Sequence, residues 1–61
     1  MTNLTSKELS ALEDQLDFEK VLTCKYQAAA QECTETELKS CFQQYARQHQ
    51  QNYTNLLNFL K

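Results

Sequence analysis

The sequence contains no glycine, no proline and no tryptophan. Glycine and proline are the residues that the turns of sheets and barrels most often need, so their absence excludes most strand-rich and loop-rich folds. Its three cysteines form no C-x-x-C pair, and neither a zinc knuckle nor a thioredoxin-like motif is therefore supported. The chain also lacks a phosphate-binding glycine loop and a Ser/His/Asp arrangement, and we expect no enzymatic activity.

Clustered cations and long apolar runs are absent as well. The six Lys and Arg residues are dispersed along a chain with a net charge of −2. A nucleic-acid-binding protein usually presents a basic face, so nucleic acid is disfavoured as a partner. No apolar run approaches the ~18 residues of a membrane span, and no charged-then-apolar leader is seen. We therefore expect no membrane partner and synthesis in the cytoplasm.

Two capping-box motifs mark the starts of two long helices. In the first, Thr5-Ser6-Lys7-Glu8, a threonine N-cap is followed three residues later by a glutamate, and this predicts a helix over about 6–33. The second, Thr34-Glu35-Thr36-Glu37, has the same pattern with Thr34 as N-cap, and predicts a helix over about 35–60. A tight turn at this second motif would connect the helices.

Apolar residues recur at three- and four-residue steps along both predicted helices, which is the spacing of one helical face. The short turn makes the helices antiparallel, so residues equally far from it face each other. Because a lone hairpin of 61 residues would leave flanking apolar residues in water, we predict a homodimer. The predicted fold is a single all-α domain over residues 1–61, an antiparallel helical hairpin that dimerises into a two-fold symmetric four-helix bundle. The predicted core and dimer contacts are Leu9, Leu12, Leu16, Leu22, Tyr26, Tyr45, Tyr53 and Leu56.

One carboxylate interrupts the apolar face of the first helix. Glu19 falls where an apolar residue is expected, and the antiparallel register places it opposite His49, the only histidine of the chain. One interpretation puts Glu19 at the edge of the apolar face, in contact with water or a basic neighbour. The other is a Glu19–His49 hydrogen bond or ion pair flanked by Tyr45 and Tyr53, which would set the helix register more than it adds stability. The same register places Tyr26 near Tyr45.

The cysteines are odd in number. Cys24, Cys33 and Cys41 would behave as small buried hydrophobic residues in a reducing compartment. The alternative is thiol cross-linking between chains, which an unpaired cysteine permits.

Five short stretches, spread over nearly the whole chain, resemble a known family. They are Leu4-Thr5-Ser6-Lys7-Glu8-Leu9, Leu12-Glu13-Asp14, the turn from Cys33 to Leu38-Lys39, Gln48-His49-Gln50-Gln51, and Leu56-Leu57. Together they resemble the coat F domain, a family of short helical proteins of endospore-forming bacteria, several of them described as spore coat components. The resemblance implies a ferritin-like helical pair, a structural place in or around the spore coat, and other coat proteins as partners.

The ferritin-like relationship also raises a metal hypothesis. A di-iron bundle uses a glutamate from one helix and a Glu-x-x-His motif from another. Glu19 and His49 match two of these ligands, but Ala46 stands where the motif needs its second glutamate, so no redox-active di-iron site is expected. In a symmetric dimer, two Glu19 and two His49 side chains could supply four zinc ligands.

The residue patterns and the resemblance to the coat F domain together suggest three functions. The leading hypothesis is a structural or interaction protein, a homodimeric helical module of the spore coat that needs no cofactor. The second is a ferritin-like metal-binding remnant that uses Glu19 and His49 for zinc or iron. The third is a small regulatory hairpin dimer.

Overall fold

The computed structural model describes residues 3–60 and is helical throughout, with no strand in this range. Helix α1 (Ser6–Glu32) and helix α2 (Thr36–Leu57) pack against each other along their length, and a short 3-10 turn, Asn58–Leu60, follows. Contacts between residues 19 and 49 and between residues 26 and 42 show that the helices run antiparallel. The predicted all-α hairpin is confirmed.

Helix α1 begins at Ser6 because Thr5 caps it. The hydroxyl of Thr5 accepts a hydrogen bond from the backbone N–H of Glu8 at 3.1 Å, and the Glu8 carboxylate accepts one from the backbone N–H of Thr5 at 2.9 Å. The second of these bonds also lowers the pKa of Glu8. This reciprocal pair satisfies two N–H groups that a helix start leaves unpaired, and the predicted first capping box is confirmed.

The turn between the helices differs from the prediction. The N-cap of α2 is Glu35 and not Thr34, so the predicted second capping box was wrong. The Glu35 carboxylate accepts hydrogen bonds from the backbone N–H groups of Glu37 at 3.2 Å and Leu38 at 2.7 Å. A carboxylate has two acceptor oxygens and a negative charge that suits the positive end of the helix dipole, whereas a threonine hydroxyl has neither advantage.

The helix boundaries shift with this cap. Helix α1 ends at Glu32 instead of residue 33, and Cys33 is already extended. Helix α2 starts at Thr36 instead of residue 35 and ends at Leu57 instead of residue 60. Its last turn tightens to a 3-10 conformation, which is a common way to satisfy the carbonyl groups at a helix end.

The core of the hairpin is thin. Leu16, Ala30 and Ala46 are its buried apolar residues, and no side chain in residues 3–60 is completely buried. Of the eight predicted core and dimer residues, the hairpin itself buries Leu16 alone. Five are half-buried, namely Leu12, Leu22, Tyr26, Tyr53 and Leu56, while Leu9 and Tyr45 are exposed. Much of the predicted apolar surface is therefore still open to solvent in one hairpin.

Candidate functional site

Glu19 and His49 meet at the middle of the hairpin. Nδ1 of His49 lies 2.5 Å from Oε1 of Glu19, so the predicted pairing across the two helices is present. Glu19 retains 7% of its accessible surface, and the imidazole is half-buried. The alternative that placed Glu19 at the solvent edge is therefore wrong, because the pairing with His49 allows the carboxylate to be buried.

Two amide side chains complete the surroundings of the carboxylate. Gln15, one turn earlier in α1, donates to Oε2 of Glu19 at 3.1 Å, and the amide nitrogen of Asn52 lies 3.5 Å from both carboxylate oxygens. The hydrogen bond with His49 lowers the pKa of Glu19 most strongly, burial raises it, and the bonds from Gln15 and Asn52 lower it further. Glu19 is therefore ionised at neutral pH.

The backbone of Glu19 carries a further polar contact. The hydroxyl of Thr23, which is buried, donates to the carbonyl oxygen of Glu19 at 2.8 Å. This bond satisfies a hydroxyl that would otherwise be costly to bury. Within residues 3–60, no buried side-chain nitrogen or oxygen lacks a hydrogen-bond partner.

An aromatic cluster covers the histidine. The ring of Tyr26 stacks on His49 with 5.7 Å between the ring centroids and 12° between the planes. Tyr26 also stacks on Phe42 at 6.0 Å and contacts Tyr45 at 5.4 Å, so the predicted proximity of Tyr26 and Tyr45 is confirmed. The stacked ring that holds the imidazole in place comes from α1, whereas Tyr45 and Tyr53 of α2 were the predicted flanking rings.

Four contacts of this site were not predicted, namely those of Gln15, Thr23 and Asn52 with Glu19 and that of Tyr26 with His49. Gln15 and Thr23 lie four residues before and after Glu19, and this spacing brings side chains together on one helix face. Asn52 lies three residues after His49, which places the two side chains on the same face of α2. A search for polar residues three or four positions from Glu19 and from His49 would have found these three polar neighbours.

As a metal site, the pair offers two ligands in each chain. Within residues 3–60, no group of three or more His, Cys, Asp or Glu side chains converges. The Glu19 carboxylate contacts Nδ1 of His49, an arrangement that in metalloproteins orients the imidazole for metal binding through its other nitrogen. A zinc or iron site would therefore need ligands from a second copy, and the metal hypothesis stays a prediction.

The three cysteines are free thiols that differ in solvent exposure. Cys24 and Cys41 are exposed, so the interpretation of buried cysteines was wrong for both of them in the hairpin. Each is adjacent in sequence to an inward-facing residue, and one residue turns a helix by about 100°, which points the thiol away from the core. Cys33 is half-buried and its thiol contacts the backbone carbonyl of Glu35 at 3.4 Å. Cross-linking between chains stays a prediction.

Comparison with known proteins identifies no relative. No family model, no curated protein and no solved structure matches this chain. The resemblance to the coat F domain therefore depends on the five stretches described above. Neither helix in the described part of the chain has an apolar segment long enough to cross a membrane.

Proposed function

We propose that this chain is a structural interaction module that acts as a homodimer, in which two hairpins pack face to face as a four-helix bundle. The observation that carries the proposal is one side of the hairpin, which exposes large apolar side chains. We call this side the apolar flank and define it by Phe18 and Leu22 of α1 and by Leu38, Tyr45 and Phe59 of the α2 side.

The apolar flank is continuous across both helices. Phe18 and Leu22 are one turn apart in α1, and Leu38 and Tyr45 are seven residues apart in α2, so each pair lies along one side of its helix. Phe59, fourteen residues after Tyr45, follows in the 3-10 turn at the end of α2. The contact between Tyr26 and Tyr45 brings the two sets to the same side of the hairpin. Phe18 is 56% exposed, Tyr45 50% and Phe59 53%. An exposed apolar surface of this kind marks an interaction site.

A second copy is the partner that fits this surface best. The described hairpin measures 46 × 16 × 11 Å, which is one layer of helices, while stable domains bury their apolar faces between two layers. An identical hairpin, related by a two-fold axis, supplies the same apolar side chains as the second layer. Asn52 occupies the remaining position of the seven-residue repeat in α2, and a polar residue in such a repeat favours one register.

The resemblance to the coat F domain supports a place for this dimer in the spore coat, where surfaces outside the dimer contact would meet other coat proteins. The test is to detect the chain with a specific antibody during sporulation. Recovery of the chain in the insoluble coat fraction of mature spores would support this location. Its recovery in the soluble fraction alone, in cells that express the gene, would contradict it.

Sedimentation velocity tests the dimer directly. At micromolar concentration the unmodified chain is expected to sediment as a dimer, and the double variant Phe18→Glu with Tyr45→Glu as a monomer, because paired charges on the flank repel across the two-fold axis. The matched control is Gln27→Glu with Gln43→Glu, which adds the same charge on the other side of the hairpin and should leave the dimer intact. An unmodified chain that is helical and monomeric at this concentration would refute the proposal.

A further inference from the structure

A polar groove runs along the side of the hairpin away from the apolar flank. It has a volume of about 1010 Å³ and is lined by both helices. Its apolar residues are the two buried alanines, Ala30 and Ala46, and the aliphatic stems of five glutamines, Lys39 and Arg47 supply the rest of its apolar surface. None of the large exposed apolar side chains lines this groove.

Helix geometry keeps this groove open in the proposed dimer. Gln27, which lines the groove, follows Phe18 by nine residues, about two and a half turns, so the two side chains leave α1 on opposite sides. Gln43 precedes Tyr45 by two residues, about 200° around α2. A second copy packed on the apolar flank would therefore leave the groove accessible.

The charges of the groove favour an anionic ligand. No acidic residue lines it, and neither Lys39 nor Arg47 has an ion-pair partner among the described residues. These two cations are eight residues apart in α2, which corresponds to about 12 Å along the helix axis. Carboxylates on residues i and i+4 of an extended chain are separated by about 13 Å and match this spacing.

The glutamines distinguish an extended ligand from a helical one. The backbone N–H and C=O groups of an extended chain need partners, and a glutamine amide offers both donors and an acceptor. A helix satisfies its own backbone and usually docks through large apolar side chains, for which this groove provides no more than two alanines. An extended segment therefore fits the lining better than a third helix.

We propose that the groove binds an extended acidic peptide segment of a partner protein. Two carboxylates, four residues apart in that segment, pair with Lys39 and Arg47, and the glutamines of both helices bind its backbone. This proposal uses a different surface from the dimer contact, so each can fail without the other.

Fluorescence anisotropy with a labelled synthetic peptide tests the proposal. The probe is a peptide of about nine residues with two glutamates four positions apart in a serine and threonine background. Replacing both cations, as Lys39→Gln with Arg47→Gln, is expected to weaken binding by roughly twofold to thirtyfold, the usual range for two exposed ion pairs. The matched control, Lys7→Gln with Lys25→Gln, removes two exposed cations that leave α1 about 200° from Gln27, away from the groove, and should leave the affinity unchanged.

Two further peptides make the result decisive. Replacing both glutamates by glutamine, or placing them side by side, is expected to weaken binding to the unmodified chain. The proposal is overturned if the probe fails to bind at about 1 mM. It is also overturned if the adjacent-glutamate peptide binds equally well, or if the control variant loses as much affinity as the groove variant, since binding would then follow overall charge. Circular dichroism of each variant checks that the hairpin stays helical.

Discussion

His49 Nδ1 lies 2.5 Å from a carboxylate oxygen of Glu19, thirty residues earlier in the chain. This contact joins the two helices at the middle of a hairpin whose buried apolar residues are few. Since the carboxylate also accepts a hydrogen bond from Asn52, a second residue of α2, it favours one rotation of α1 against α2. We interpret the pair as the element that sets the helix register.

Removing the charge of Glu19 is expected to destabilise the hairpin. The change Glu19→Gln keeps the size of the side chain but weakens the contact with His49, and it should lower the free energy of unfolding by about 1–3 kcal/mol. Urea denaturation followed by circular dichroism measures the difference. The control is Glu13→Gln, an exposed residue of the same helix. Equal stability of the two variants would show that the buried carboxylate has no special role.

The stability of the chain should fall in acid through Glu19. Because the pKa of Glu19 is lower in the folded chain than in the unfolded chain, the unfolded chain binds more protons in this range. The contribution is fully present above the ordinary glutamate pKa of about 4.3 and is lost as the pH falls through the lower folded value. Denaturation at several pH values between about 5 and 3 should show a smaller loss for Glu19→Gln than for the unmodified chain. Parallel pH curves would contradict this.

The turn offers a test that separates two neighbouring residues. Replacing Glu35 by alanine removes the acceptor of two backbone N–H groups, and should lower the free energy of unfolding by about 1 kcal/mol. Replacing Thr34 by alanine should change it by much less, since Thr34 does not cap α2. Thermal denaturation of both variants measures the effect. A larger loss of stability for Thr34→Ala than for Glu35→Ala would show that Thr34 is the N-cap of α2, as the sequence predicted.

Tyr26 should be the most important aromatic residue of the hairpin. Its ring contacts His49, Phe42 and Tyr45, so Tyr26→Leu is expected to lower the free energy of unfolding by about 1–3 kcal/mol. Tyr53→Leu is the matched control, because Tyr53 is also half-buried but makes no ring contact recorded in the described residues. Similar losses for the two variants would mean that ring stacking adds little.

Thiol reactivity reports on the proposed dimer face. Cys41 lies three residues after Leu38 and four before Tyr45, on the side of α2 that carries the apolar flank, whereas Cys24 follows the inward-facing Thr23 on α1. In the dimer, alkylation should be faster at Cys24 than at Cys41, and Phe18→Glu with Tyr45→Glu should remove this difference. Peptide mass spectrometry after timed alkylation measures both rates. Equal rates in the unmodified dimer would place the contact elsewhere.

Local contacts account for what the sequence predicted correctly. The Thr5–Glu8 box and the two long helices depend on hydrogen bonds between residues three or four apart, which the local sequence specifies. The pairing of Glu19 with His49 followed because one turn near residue 34 sets the register of the whole hairpin. An error of one residue in the cap left that register nearly unchanged.

Which residue of the turn caps helix α2 was harder to predict. The run Thr34-Glu35-Thr36-Glu37 offers several residues able to cap a helix, and the choice depends on the path by which the chain leaves α1. On the path that the chain follows, the two carboxylate oxygens of Glu35 accept hydrogen bonds from two backbone N–H groups of α2. The sequence pattern does not contain this path.

The sequence by itself determined two antiparallel helices, the position of the turn, and the level at which Glu19 meets His49. Only the tertiary structure decided that Tyr26 stacks on His49, that Cys24 and Cys41 are exposed, and that apolar and polar surfaces lie on opposite sides. The physical reason is that these features depend on the rotation of each helix about its own axis. That rotation is set by side-chain packing between helices, and a periodic pattern restricts it only to a broad face.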